Sequence, residues 1–204
     1  MTTARHSMDS PEWYSPADYV EAARSVMGGI DLDPASHEEA NRTVKAARFY
    51  TAEEDGLRRD WRGRIYLNPP GGEGLVPAFW RKLMEEHRAG RVIAFVWMGY
   101  SVEQLQTLQD DPLPLLDPDP PPSPLDFPIC VPRRRIAFVE NEAKRIARLA
   151  RVDEENEARR KEGKPLRDRN ESGGSPSHAN FLAYGGHDAP RFASVLSRFG
   201  RVRL

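Results

Sequence analysis

Gly63-Arg64-Ile65-Tyr66-Leu67-Asn68-Pro69-Pro70-Gly71 is the stretch on which the reading of the fold turns. Gly63 separates a Trp-containing turn from Arg64 to Leu67, which predicts a strand, and Asn68-Pro69-Pro70 stops it, since proline brings no ladder donor and fixes φ. Asn68 is thereby placed at a strand's C-terminal end. Downstream, Pro77 to Ala89 predicts an amphipathic helix with Phe79, Trp80, Leu83 and Met84 as its buried stripe, closed by Gly90. Arg91 to Trp97 follows as a nearly continuous apolar strand, the pattern of a strand covered on both faces. Upstream, Ser15-Pro16 predicts a helix start with Ser15 as cap, Val20, Ala23 and Met27 on one face and Gly28-Gly29 at the end. Ile30 to Asp33 predicts a short strand broken at Pro34, and Glu38 to Ala47 a second helix. Alternation with short links implies βαβ units: an α/β fold, mostly parallel sheet with helices on both faces. In such folds ligands sit at the C-terminal edge of the strands, where Asp31-Leu32-Asp33-Pro34 and Asn68-Pro69-Pro70 are both expected.

The remaining chain is less regular. Met1 to Ser10 lack periodicity and read as a flexible arm, leaving 11–204 as a single domain, since 204 residues leave little for a second folding unit. Residues 112–132 carry nine prolines and predict an extended loop. Ile129 to Val131 and Arg135 to Val139 are expected to pair as strands, and the charged insertion 140–172 to hold a projecting helix over Glu140 to Lys161. Asn180 to Ala183 and Arg201 to Leu204 read as strands flanking a helix near Pro190 to Arg198.

Composition narrows the function. Apolar residues at 39%, charged residues at 30% and a net charge of -1 describe a globular, soluble chain without a polyanion's overall counter-charge, so any contact with a polyanion needs a local basic patch. The lone Cys130 rules out an internal disulfide, and five dispersed histidines give no metal-ligand spacing, so metal-free chemistry is expected. No apolar run reaches the ~20 residues that span a bilayer, and no leader is apparent, so the expected location is the cytoplasm with no membrane association.

Two motifs carry chemistry. The exocyclic amine of adenine or cytosine is a poor nucleophile because its lone pair is delocalised into the ring. The Asn68 carboxamide oxygen and the Pro69 carbonyl could accept both amine hydrogens and draw the nitrogen toward a tetrahedral shape able to attack a methyl group, with Pro70 stiffening the turn. The alternative is an Asx turn followed by a rigid loop. Asp31 and Asp33, at a strand end, suit a ligand with a cationic tail such as S-adenosyl-L-methionine; the alternative is a solvated strand end with Asp33 capping the next helix.

Glu12-Trp13-Tyr14-Ser15-Pro16, Gly29-Ile30-Asp31-Leu32-Asp33-Pro34-Ala35-Ser36, Ala40-Asn41, Phe49-Tyr50-Thr51, Asp55-Gly56-Leu57, Trp61 and Leu67-Asn68-Pro69-Pro70 stand in one order. Together they closely resemble the phage-type, Dam-like DNA N6-adenine methyltransferases over roughly the first half of the chain, with Pro132 to Phe138 a looser match. The resemblance implies a Rossmann-like, S-adenosyl-L-methionine-dependent methyltransferase fold acting on DNA. It implies Trp13, Tyr14 and Pro16 near the cofactor, Asp31, Asp33 and Ala35 in its pocket, Asp55 at its adenine, and Asn68, Pro69 and Pro70 as the catalytic grip. The chain departs from that family at Gly71, where an aromatic residue usually stacks on the flipped base. Base-aromatic stacking is worth ~1–3 kcal/mol, and Trp80, Trp97 and Tyr100 are the candidate replacements, ordinary core packing being the other reading for both tryptophans.

Arg133, Arg134 and Arg135 are expected to neutralise DNA phosphates, whereas the cations of the charged helix, interleaved with acids, read as a solvated surface. Four functions stay open on the sequence: adenine N6 transfer, cytosine N4 transfer by the same grip, a catalytically idle DNA-binding scaffold lacking the ring at 71, and methylation of RNA or a protein amine.

Overall fold

The computed structural model describes residues 13–72, 74–109, 121–140, 142–169 and 178–204. The expected N-terminal arm and the middle of the proline-rich loop lie outside them. Short elements alternate: β1 (Trp13–Tyr14), α1 (Ala17–Met27), β2 (Leu32–Asp33), α2 (Glu38–Val44), β3 (Arg48–Phe49), β4 (Gly63–Leu67), α3 (Leu75–Arg88) and β5 (Val92–Gly99). The later elements are α4 (Gln104–Thr107), β6 (Ile129–Pro132), β7 (Val139–Glu140), α5 (Glu142–Lys161), β8 (Phe181–Gly185), α6 (Ala189–Leu196) and β9 (Gly200–Arg203).

A seven-stranded sheet runs in the order β3-β2-β4-β5-β8-β6-β9, with a separate two-stranded ribbon of β1 and β7. The pairings among β3, β2, β4 and β5 are parallel, as the βαβ pattern predicts. β8 is antiparallel to both β5 and β6, and β9 to β6, so the sheet is mixed. The expected pairing of 129–131 with 135–139 does not form. β6 lies instead between β8 and β9, and β7 is drawn away to β1. Apolar periodicity marks a strand without saying which distant strand will complete its ladder.

Side-chain alternation along the central strands sorts the core into two layers. Ile65, Leu67, Phe95 and Trp97 face α3, which buries Val76, Phe79, Trp80, Leu83 and Met84 against them. Tyr66, Val96, Met98, Leu182 and Tyr184 face the other way, where α1 and α6 bring Val20, Ala23, Val26, Phe192 and Leu196. Helices thus cover both faces and leave the strand ends as the accessible rim.

Helix α1 departs from expectation at its start. Pro16 is the capping residue and no side chain accepts a hydrogen bond there. Ser15 is buried instead of capping the helix. At α2 the cap is the ring of His37, which accepts the Glu39 N–H at 3.2 Å. No helix among the described residues is long and apolar enough to cross a membrane.

Candidate active site

Strand β4 delivers Asn68 to the C-terminal edge of the sheet, where its Nδ2 donates to the Trp13 carbonyl at 3.0 Å. With the amide nitrogen held, Oδ1 is the atom presented as an acceptor. Pro69 is buried and Pro70 half-buried, so the turn behind the amide is both sterically fixed and packed. Trp13 and Tyr14 are themselves secured by β7, with Trp13 opposite Glu140 and Tyr14 opposite Val139. The Tyr14 hydroxyl donates to Glu39 Oε2 at 3.2 Å and its ring meets that of His37 edge-on at 4.9 Å. Pro16 follows at the head of α1. The structure therefore brings the Trp13 to Pro16 segment across the strand edge to Asn68.

Parallel pairing of β2 with β4 sets Leu32 opposite Ile65, so Asp33 and Ala35 leave the sheet beside Asn68. Asp33 is 3% exposed; its Oδ1 accepts the Ala35 N–H at 3.2 Å, and no ion pair among the described residues reaches it. Burial pushes its carboxyl up to about 7, with the Ala35 N–H offsetting only part of the cost. A buried carboxyl with no ion pair among the described residues, at the C-terminal edge of the sheet, could take up a cationic group. Asp31 is differently placed. It sits at the other end of β2, where Arg64 grips it through Nε at 2.8 Å and Nη2 at 2.6 Å, holding its carboxyl below the usual range. Its charge is committed to joining β2 and β4.

The loop after β3 folds back over β2. The Trp61 Nε1 donates to the Gly56 carbonyl at 2.8 Å, and a Cβ added at Gly56 would lie 1.9 Å from the Pro34 carbonyl oxygen. Only glycine allows that approach. Asp55 is thus carried to the Pro34-Ala35 turn, where its carboxylate pairs with Arg58 at 3.1 Å.

Gly71 is exposed, and a Cβ there would meet no atom within 4 Å. Of the three candidate replacement rings, Trp80 is 1% and Trp97 0% exposed; both lie in the α3 layer, and Trp80 Nε1 is spent on the Pro122 carbonyl at 2.8 Å. Tyr100 alone of the three is only partly buried, at the end of β5.

The arginine triplet divides. Arg133 donates to the carbonyls of Arg198 at 3.0 Å and Ser197 at 3.3 Å, closing the C-terminal end of α6. Arg134 and Arg135 are exposed beside it. Asn180, in sequence only the first residue of an expected strand, holds this segment to the end of β5: its Oδ1 accepts the Ile136 N–H at 2.8 Å and its Nδ2 donates to the Tyr100 carbonyl at 2.7 Å. No local pattern announces such a bridge. The concave surfaces on α5, lined by Asp153, Asn156 and Arg160, and between Leu57 and α3 lie away from Asn68 and converge on no comparable chemistry.

Residues 2–111 match the family model described as DNA N-6-adenine-methyltransferase (Dam). No curated protein and no solved structure matches the chain. The matched span covers over half of the 204 residues and contains β2, β4 and the Asn68 turn between which the candidate site is built, and the chain belongs to the DNA N-6-adenine-methyltransferase (Dam) family.

Proposed function

We propose that the protein transfers a methyl group from S-adenosyl-L-methionine to the N6 amine of adenine in DNA, on a Rossmann-like methyltransferase scaffold. The observation that carries this reading is the clamp on Asn68: the Trp13 carbonyl takes the amide nitrogen and leaves Oδ1 for the substrate amine. Asn68 Oδ1 accepts one amine hydrogen and the Pro69 carbonyl the other. The amine nitrogen is thereby drawn out of conjugation, and its lone pair is freed along the direction of attack. Because the Asn68 amide is fixed beforehand, no reorganisation is needed when the amine arrives.

Trp13, Tyr14 and Pro16, with Asp33 and Ala35 at the end of β2 and Asp55 in the loop against Pro34, are the residues that would hold the cofactor. S-adenosyl-L-methionine, when bound, supplies an electrophilic methyl group and an ammonium that Asp33 can neutralise. Asp31 serves the same pocket indirectly, by fixing β2 through Arg64. Arg134 and Arg135 are assigned to DNA phosphates and Arg133 to α6.

The test is transfer of a labelled methyl group from S-adenosyl-L-methionine to unmethylated DNA, followed by digestion and nucleoside mass spectrometry. N6-methyladenine is expected from the wild type and none from Asn68→Ala, which should still bind the cofactor. N4-methylcytosine would move the reading to the other amine. DNA binding without any transfer would make the chain an idle scaffold.

A further inference from the structure

Resting on that reading, we propose that Tyr100 is the platform on which the target base stacks. A base taken out of a duplex loses its stacking neighbours, and a site that holds it restores them with a flat ring. The turn that carries Asn68 offers none, since it continues into the exposed Gly71. Trp80 and Trp97 are sealed in the α3 layer, and Tyr50, 2% exposed, is tied through its hydroxyl to the Asp60 carbonyl at 3.1 Å. Tyr14 belongs to the opposite, β1 side, where its hydroxyl is engaged with Glu39.

Tyr100 is placed otherwise. β4 and β5 are parallel neighbours with Leu67 opposite Trp97, so the chain emerges from β5 at Tyr100 on the same edge at which it emerges from β4 at Asn68. Its ring packs at the margin of both core layers, which sets it astride the end of the sheet instead of beneath either face. Its main chain is fixed by Asn180, 2% exposed, whose amide nitrogen bonds the Tyr100 carbonyl and whose oxygen bonds Ile136. The same asparagine therefore sets the ring and the segment bearing Arg134 and Arg135, joining base and backbone recognition in one rigid unit. With Asp33 on the β2 side of Asn68 and Tyr100 on the β5 side, cofactor and base approach the amide from opposite flanks.

Steady-state methyl transfer to unmethylated DNA, with cofactor binding measured separately by calorimetry, tests this. Tyr100→Leu keeps apolar bulk at the core margin while removing the ring; KM for DNA is expected to rise about ten- to a hundredfold with cofactor affinity unchanged. Tyr100→Phe, which keeps the ring, is expected to recover most of that loss. The double variant Gly71→Tyr with Tyr100→Leu is expected to regain at least about tenfold, because position 71 has open space for a ring on the β4 side of the same base. A Tyr100→Leu enzyme as effective as wild type overturns the proposal, and so does a Tyr100→Phe enzyme as impaired as Tyr100→Leu. A wild-type chain that methylates no DNA at all overturns the underlying reading instead, and the stacking role with it.

Discussion

Asp33 shows how much a single buried group can reveal. Its carboxyl is pushed up to about 7 by burial, against 3.8 for an ordinary aspartate. Between those values the folded chain holds a proton that the unfolded chain has lost, so this residue makes stability fall as pH rises from about 4 to about 7, and level off above. Asp33→Asn keeps the shape and removes the titration. Urea unfolding across that range is expected to show the variant gaining on wild type as pH increases; a constant difference would refute the assignment. Asp31, lowered by its bond to Arg64, acts in the opposite sense at more acid pH, and cancels when the two proteins are compared. A cation beside Asp33 favours its charged form. Binding of S-adenosyl-L-methionine is accordingly expected to tighten with pH up to about 7 and to release a proton, measurable by calorimetry in buffers of different ionisation heat. Both Asn68 and Asp33 were legible in the sequence because each ends an apolar run at a proline. Arg64 was not, since a charge at the start of one strand says nothing of the carboxylate at the start of its neighbour.

At the level of elements, the arginine segment separates two roles that adjacent, identical residues conceal. Arg133→Ala takes donors from the two carbonyls that follow α6 and is expected to lower Tm by about 2–4 °C, leaving the salt dependence of DNA binding unchanged. Arg134→Ala and Arg135→Ala should each leave Tm in place and reduce the slope of log K against log salt by about 1. Equal slopes in all three variants would remove the phosphate assignment. The long helices α1, α3 and α5 and the strands β4 and β5 were readable from periodicity and breakers. β1 and β3 were not: each has two residues, too few for a period, and forms because a neighbouring strand end lies beside it. The partners of β6 were misread for the related reason that sheet order is a property of the whole chain.

Across the whole molecule, the parallel strands β3, β2, β4 and β5 all fall within the family-matched residues 2–111, while β6, β8 and β9 lie beyond them. Helix α5 adds little to either core layer. None of its described side chains is buried, and its bonds run to Glu140 through Arg148 and to its own return segment, as between Asn156 and Arg167 or Asp153 and Arg169. Replacing residues 142–177 with a short glycine-serine linker is expected to leave Tm within about 3 °C of wild type by calorimetry; a collapse of the transition would show that α5 supports the sheet. The ribbon of β1 and β7 has a different weight. Trp13, whose carbonyl orients Asn68, is paired with Glu140, a residue made 127 positions later. On a translating ribosome the Asn68 turn emerges long before the strand that steadies its clamp. Nascent fragments ending short of β7 thus carry Asn68 and Trp13 without the strand that pairs with Trp13.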